Sequence, residues 1–129
     1  MKLDDIENIQ FSDKSRLNFD HDLSKLNWFN IAGRSKIFLF LNSLKDLSIF
    51  LKKYNNRGKI FVLGAGSNVL FDGIYEGVVI KLGRNFNNIS KLNDNLIISG
   101  SSCLDKKLSE FAMENHIEGF EFLSCIPGS

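Results

Sequence analysis

The chain has 129 residues, 43% hydrophobic and 24% charged, with 16 Lys and Arg against 15 Asp and Glu for a formal net charge of +1. This is the profile of one soluble globular domain with a real core. It excludes a disordered chain and gives no electrostatic reason to expect nucleic acid or an anionic membrane as partner. No stretch approaches the length of a membrane span, and Met1-Lys2-Leu3-Asp4-Asp5 lacks the apolar core of a signal peptide, so the expected location is the cytosol.

In such a compartment the sequon Asn88-Ile89-Ser90 carries no meaning. Cys103 and Cys125 show no Cys-x-x-Cys spacing and no histidine at a ligand interval. They are expected as free, mostly buried thiols, and no metal site is predicted.

Over residues 1–26, apolar positions at Leu3, Ile6 and Ile9 and at Leu17, Leu23 and Leu26 predict a short amphipathic helix or two, a helical lead-in to the main domain. His21, between Asp20 and Asp22, reads as a solvated surface residue. An aromatic-rich connection, Asn27-Trp28-Phe29-Asn30-Ile31-Ala32-Gly33, follows. The nearly unbroken apolar run Lys36–Leu41 has the signature of a strand buried on both faces. Ser43 then stands as an N-cap with Asp46 at the third helical position, and Leu44, Leu47, Leu51 and Tyr54, with Phe50, predict a helix that stops at Asn55–Gly58. A second strand at Ile60–Leu63 completes a parallel strand–helix–strand unit, whose carboxyl end is the usual location for a ligand in α/β structures.

That end is Gly64-Ala65-Gly66-Ser67-Asn68-Val69-Leu70. Glycines here allow positive φ and close approach to bare N–H groups, and Ser67 and Asn68 add short donors; the stretch is either a backbone-lined anion pocket or a plain turn. It is not the dinucleotide fingerprint, which needs a third glycine and a following helix, whereas Phe71-Asp72-Gly73 breaks the chain and another strand follows. Nor is it the nucleoside-triphosphatase loop, since no lysine follows Gly66.

Beyond it, Gly77–Leu82 reads as a strand, and 86–90 with 95–99 as a hairpin across the polar turn Lys91–Asp94. Ser101–Asp105 is expected to cap a second helix with Leu104, Leu108, Phe111 and Ala112 inward, and His116 is its terminal or core histidine. Gly119-Phe120-Glu121-Phe122-Leu123 leads into Ile126-Pro127-Gly128-Ser129, which contains the one proline. A chain that stops inside such a turn reads as truncated.

Four of these stretches together resemble the UDP-N-acetylenolpyruvoylglucosamine reductase (UDP-N-acetylmuramate dehydrogenase) family, bacterial flavoenzymes of peptidoglycan synthesis. They are Trp28–Gly33, Val62–Leu70, Gly77–Ile80, and Gly119–Leu123 running into Ile126–Ser129, in that order, so the resemblance covers about residues 24–129. It implies an α+β, FAD-binding domain of the vanillyl-alcohol-oxidase (PCMH) type, two small α+β lobes over 27–129 with the second incomplete. FAD would be held by Leu63, Gly64, Ala65, Gly66, Ser67, Asn68 and Val69 from one side and Ile126, Pro127, Gly128 and Ser129 from the other. The family's reaction passes a hydride from NADPH through the flavin to the enolpyruvyl double bond of a nucleotide sugar. Its proton donor and the assisting residues match no position here, so no catalytic residue is assigned and the isolated chain is expected to be inactive. Ala32-Gly33-Arg34 and Ser99-Gly100-Ser101 depart from the family's usual Gly-Gly-Pro and Ala-Gly-Ala. Two other readings are a non-catalytic flavin or nucleotide carrier and a fragment of another oxidoreductase of the same superfamily.

Overall fold

The computed structural model describes residues 6, 8–12, 14–55 and 58–129. In chain order the elements are β1 (Arg16–Asp22), β2 (Arg34–Leu41), α1 (Leu44–Tyr54), β3 (Ile60–Val62), β4 (Ile74–Leu82), β5 (Ile89–Asn93), β6 (Leu96–Ser99) and α2 (Asp105–Glu114). Short 3-10 turns occupy Ser24–Leu26, Arg84–Phe86 and Glu121–Cys125.

Four strands form one sheet in the order β1-β2-β4-β3, and β5 and β6 form a separate hairpin. β2 and β3 both run parallel to β4, which lies between them, and β1 adds antiparallel to the outer side of β2. The strand–helix–strand unit of the sequence is therefore present, but its two strands are not neighbours. β4 also begins at Ile74, earlier than the run at Gly77, because Ile74 and Tyr75 pair with Arg34 and Ser35 ahead of a register shift.

Alternate side chains of β2 and β4 enter two cores, which is why both strands read as almost continuous apolar runs. On one face Ile37, Leu39, Leu41, Val78 and Ile80 pack with Phe50 and Tyr54 of α1 and with Ile6 and Ile9. On the other, Phe38 and Val79 pack with Leu23, Leu63 and Phe71.

The helical lead-in over 1–26 is corrected in its second half; Ile6 is helical. Residues 16–22 are a strand, its alternation of Leu17, Phe19 and His21 matching a period of two, and it satisfies the otherwise open edge of β2. Leu3 lies outside the described residues. His21 is half-buried, its ring stacked on Phe38 with centroids 4.3 Å apart, so it is not the solvated residue expected.

α1 is capped as foreseen, Ser43 Oγ accepting from Asp46 N–H at 3.3 Å, but only part of the expected apolar set, Leu47, Phe50 and Tyr54, meets the core. Asp46, Phe50 and Tyr54 are buried, while Leu44 (72% exposed) and Leu51 (47%) point outward. Asp46 faces inward because its carboxylate accepts from Ser12 N–H (3.3 Å), Ser12 Oγ (2.5 Å) and Ser15 Oγ (2.6 Å). Asn55 closes the helix in the left-handed region, its N–H reaching Leu51 O.

The hairpin turns later than expected. Lys91 pairs with Ile97 and Asn93 with Leu96, leaving Asp94-Asn95 as the turn, where Asn93 Oδ1 accepts from Asn95 N–H at 3.0 Å. α2 has no side-chain cap. Ser109 and Ala112 are its buried residues, Leu108 and Phe111 are half-buried, and Leu104 is exposed. Both cysteines are free thiols; Cys103 is buried as expected, whereas Cys125 is exposed. Among the described residues no helix is long and apolar enough to cross a membrane.

Candidate functional site

The site begins where the sheet stops guiding the chain. Leu63, 2% exposed, makes the last sheet contact of its strand, its N–H donating to Ile80 O at 2.8 Å. From Gly64 the backbone leaves the sheet edge; Ser67-Asn68 form a hydrogen-bonded turn, and among the described residues the N–H groups from Gly64 to Asn68 have no close protein acceptor. Buried backbone donors are almost always paired in folded proteins, so the unpaired ones of this mostly half-exposed or exposed loop are open to water or to an anion.

Tertiary contacts hold this loop open. Gly66 has φ +76°, and a Cβ there would lie 2.0 Å from Leu26 O. Gly66 O in turn accepts from Trp28 N–H at 3.0 Å. Behind it the buried Asn27 side chain ties the segment together: Nδ2 donates to Leu23 O (3.0 Å) and Ile31 O (3.1 Å), and Oδ1 accepts from Ile31 N–H (3.3 Å). At the far end of the segment a Cβ on Gly33 would meet Phe71 Cβ at 2.5 Å. The aromatic-rich stretch Asn27–Gly33 is thus a buttress against which the glycine loop rests.

The terminal turn forms the other wall. Ser67 Oγ donates to Pro127 O at 2.6 Å, and a Cβ on Gly64 would lie 2.7 Å from Ser129 O. Gly128 O accepts from Asp105 N–H at 3.2 Å, fastening the turn to the start of α2. The two stretches singled out in the sequence are therefore in contact. Within them roles divide: the side chains of Leu63 and Val69 go into the second core, leaving their backbone to the loop, while Asn68 is exposed. Ile126, 46% exposed, lines an apolar hollow with Trp28, Leu104 and Cys125.

Beside the loop is a cavity of about 290 Å³ lined by Gly64, Ala65, Lys81, Arg84, Ser102 and Ser129, among others, with no Asp or Glu side chain in its wall. Lys81 Nζ donates to Gly64 O at 2.5 Å, and burial holds its pKa below the usual lysine value. Sequence reasoning missed Lys81 and Arg84. The available signal was Lys81 itself, a charge inside the apolar run of β4, where a cation needs a reason to be kept.

A larger hollow of about 450 Å³, between α2 and the 3-10 turn that follows, contains His116 but shares no lining residue with the loop cavity. His116 is exposed at the end of α2 with φ +56°, a terminal histidine. Among the described residues no group of three or more His, Cys, Asp or Glu is placed to hold a metal. The loop cavity is lined by glycine-loop backbone, two cations and hydroxyls.

A family model described as an FAD binding domain matches residues 35–129. The UDP-N-acetylenolpyruvoylglucosamine reductase of Pelagibacter ubique (strain HTCC1062) is 54% identical over 130 residues, spanning 100% of this chain and 43% of that protein. The protein of the same name from Rickettsia typhi is 46% identical over 117 residues, 90% of this chain and 39% of its own length. Among solved structures, the UDP-N-acetylenolpyruvylglucosamine reductase of Thermus caldophilus matches with a TM-score of 0.60 at 22% identity, over 88% of this chain and 38% of that one, a likeness of fold. The chain thus spans less than half the length of these relatives.

Proposed function

Because the chain belongs to the FAD binding domain family, with FAD as its cofactor, we propose that it is the amino-terminal, flavin-holding part of a reductase that converts the enolpyruvyl ether of UDP-N-acetylglucosamine to UDP-N-acetylmuramate for peptidoglycan synthesis, with NADPH as hydride donor, in the cytoplasm. The observation that carries this reading is the set of N–H groups without a close protein acceptor from Gly64 to Asn68, set against the turn at 126–129. A diphosphate needs several convergent donors, and Gly64–Asn68 offer them beside a cavity wall with no Asp or Glu side chain.

In this reading Gly64–Asn68 surround the diphosphate of FAD with backbone donors, and Ile126–Ser129 form the second wall. Residues 27–129 make the FAD-binding unit, with 1–26 as its lead-in, and the isolated chain performs no turnover. When bound, FAD supplies the redox chemistry, taking a hydride from the nicotinamide and returning one to the enolpyruvyl double bond. This chain's residues bind, orient and exclude water. No residue of this chain is assigned as the proton donor to the substrate.

Titrating the purified chain with FAD and following quenching of flavin fluorescence tests the reading. Saturable binding is the expected result, and absence of binding by a folded chain overturns it. Adding NADPH and the enolpyruvyl nucleotide sugar then tests the division of labour. Substrate-dependent NADPH consumption by this chain alone contradicts the assignment of turnover to residues outside it.

A further inference from the structure

We infer that Lys81 is a positioning residue of the cofactor site: its ammonium draws the Gly64 carbonyl back toward β4 and thereby aims the Ala65 N–H at the phosphates of FAD. The inference rests on the assignment of FAD to the glycine loop.

Lys81 lies on β4 next to Ile80, whose carbonyl receives the last sheet hydrogen bond, from Leu63 N–H, before the loop. Nζ donates to Gly64 O at 2.5 Å across a separation of 17 residues. Lys81 is half-buried, lines the loop cavity, and has no carboxylate partner among the described residues. An unpaired cation in such a place is costly unless something depends on it.

Peptide geometry supplies the dependence. The Gly64–Ala65 bond is trans and planar, so Gly64 C=O and Ala65 N–H point in opposite directions and turn as one unit. Glycine at 64 places little steric restraint on that plane. Without a partner for the carbonyl, the plane is free to present oxygen to an incoming anion, which is repulsive. With the ammonium on the oxygen, the plane is fixed in the donor orientation and the amide is polarised toward the anion. Arg84 lines the same cavity wall and adds to the local potential.

The experiment uses the full chain with Lys81→Met, which keeps the apolar stem, and Lys81→Arg, which keeps the charge. In the ligand-free chain, Lys81→Met is expected to shift the Gly64 carbonyl-carbon and Ala65 amide NMR resonances, and Lys81→Arg to restore them. FAD affinity by fluorescence quenching is expected to fall about tenfold in the Met variant, the scale of a lost charge-assisted hydrogen bond, and to recover with Arg. Riboflavin, which lacks phosphate, is expected to bind wild type and Lys81→Met alike, an equality that a general collapse of the site would not leave. Unmoved Gly64 and Ala65 resonances overturn the inference, as does unchanged FAD affinity in the Met variant. Failure of the wild-type chain to bind FAD overturns the cofactor assignment instead, while the ligand-free resonances still judge the Lys81–Gly64 contact.

Discussion

Ser67 Oγ donates to Pro127 O at 2.6 Å, joining residues 60 positions apart and bringing the glycine loop against the terminal turn. The bond is exposed, so its value is more in geometry than in energy.

Ser67→Ala is therefore expected to cost no more than about 1 kcal/mol of unfolding free energy, yet to weaken FAD binding severalfold, since the second wall is no longer pinned to the first. Parallel urea melts and fluorescence titrations check it. A variant that loses stability and affinity in proportion would show that the bond serves folding only.

Gly66→Ala meets two obstacles. A left-handed φ costs a non-glycine residue roughly 1–2 kcal/mol, and the new methyl would stand 2.0 Å from Leu26 O, a backbone atom that cannot swing aside. The expected outcome is a loss above that range, with FAD binding abolished. Gly73→Ala is the control: its φ is +71° but nothing lies within 4 Å of the added Cβ, so only the conformational cost should appear.

On α1, exposure separates two residues that helical spacing had grouped. Phe50→Ala, at a side chain with 0% exposure, is expected to cost about 3–5 kcal/mol. Leu44→Ala, at 72% exposure, should stay within about 0.5 kcal/mol. Thermal or urea unfolding of the pair decides it.

Asp46 governs an acid-side loss of stability. Burial raises its pKa, but hydrogen bonds from the Ser12 and Ser15 side chains and from Ser12 N–H, with the charge of Lys45, outweigh burial and leave it below the ordinary 3.8. A carboxylate depressed in the folded state contributes stability that is complete above its unfolded pKa and fades as pH falls through the folded value. The contribution should thus be whole at neutral pH and be lost progressively as pH falls below 3.8. Asp46→Asn is expected to lose about 1–3 kcal/mol at pH 7 and to show a shallower decline toward acid. Urea melts across pH 2.5–7 measure both.

How far the sequence reaches is visible in α1 and its neighbours. The nearly unbroken apolar run of β2 declared a strand buried on both faces, because a period-two chain with two cores needs an apolar residue at every position, and Gly77–Leu82 declared a strand of β4. Ser43 declared a helix start. Gly64 and Gly66, with Pro127-Gly128, declared two turns suited to close approach, and their order with Trp28–Gly33 carried the family resemblance.

Contacts between distant segments decided the rest. β1 passed for helix because Leu17, Leu23 and Leu26 are spaced ambiguously and only the open edge of β2 selects a strand. Asp46, by its side-chain chemistry a solvent-facing residue, is buried because Ser12 and Ser15 reach it from a segment more than 30 residues earlier in the chain. Lys81 belongs to the candidate site because β4 pairs beside β3 and sets its ammonium against the first loop carbonyl. Local spacing determines which residues can take a strand, a helix or a positive φ; which of them meet is fixed by hydrogen bonds and packing across the chain, and no local pattern encodes those partners.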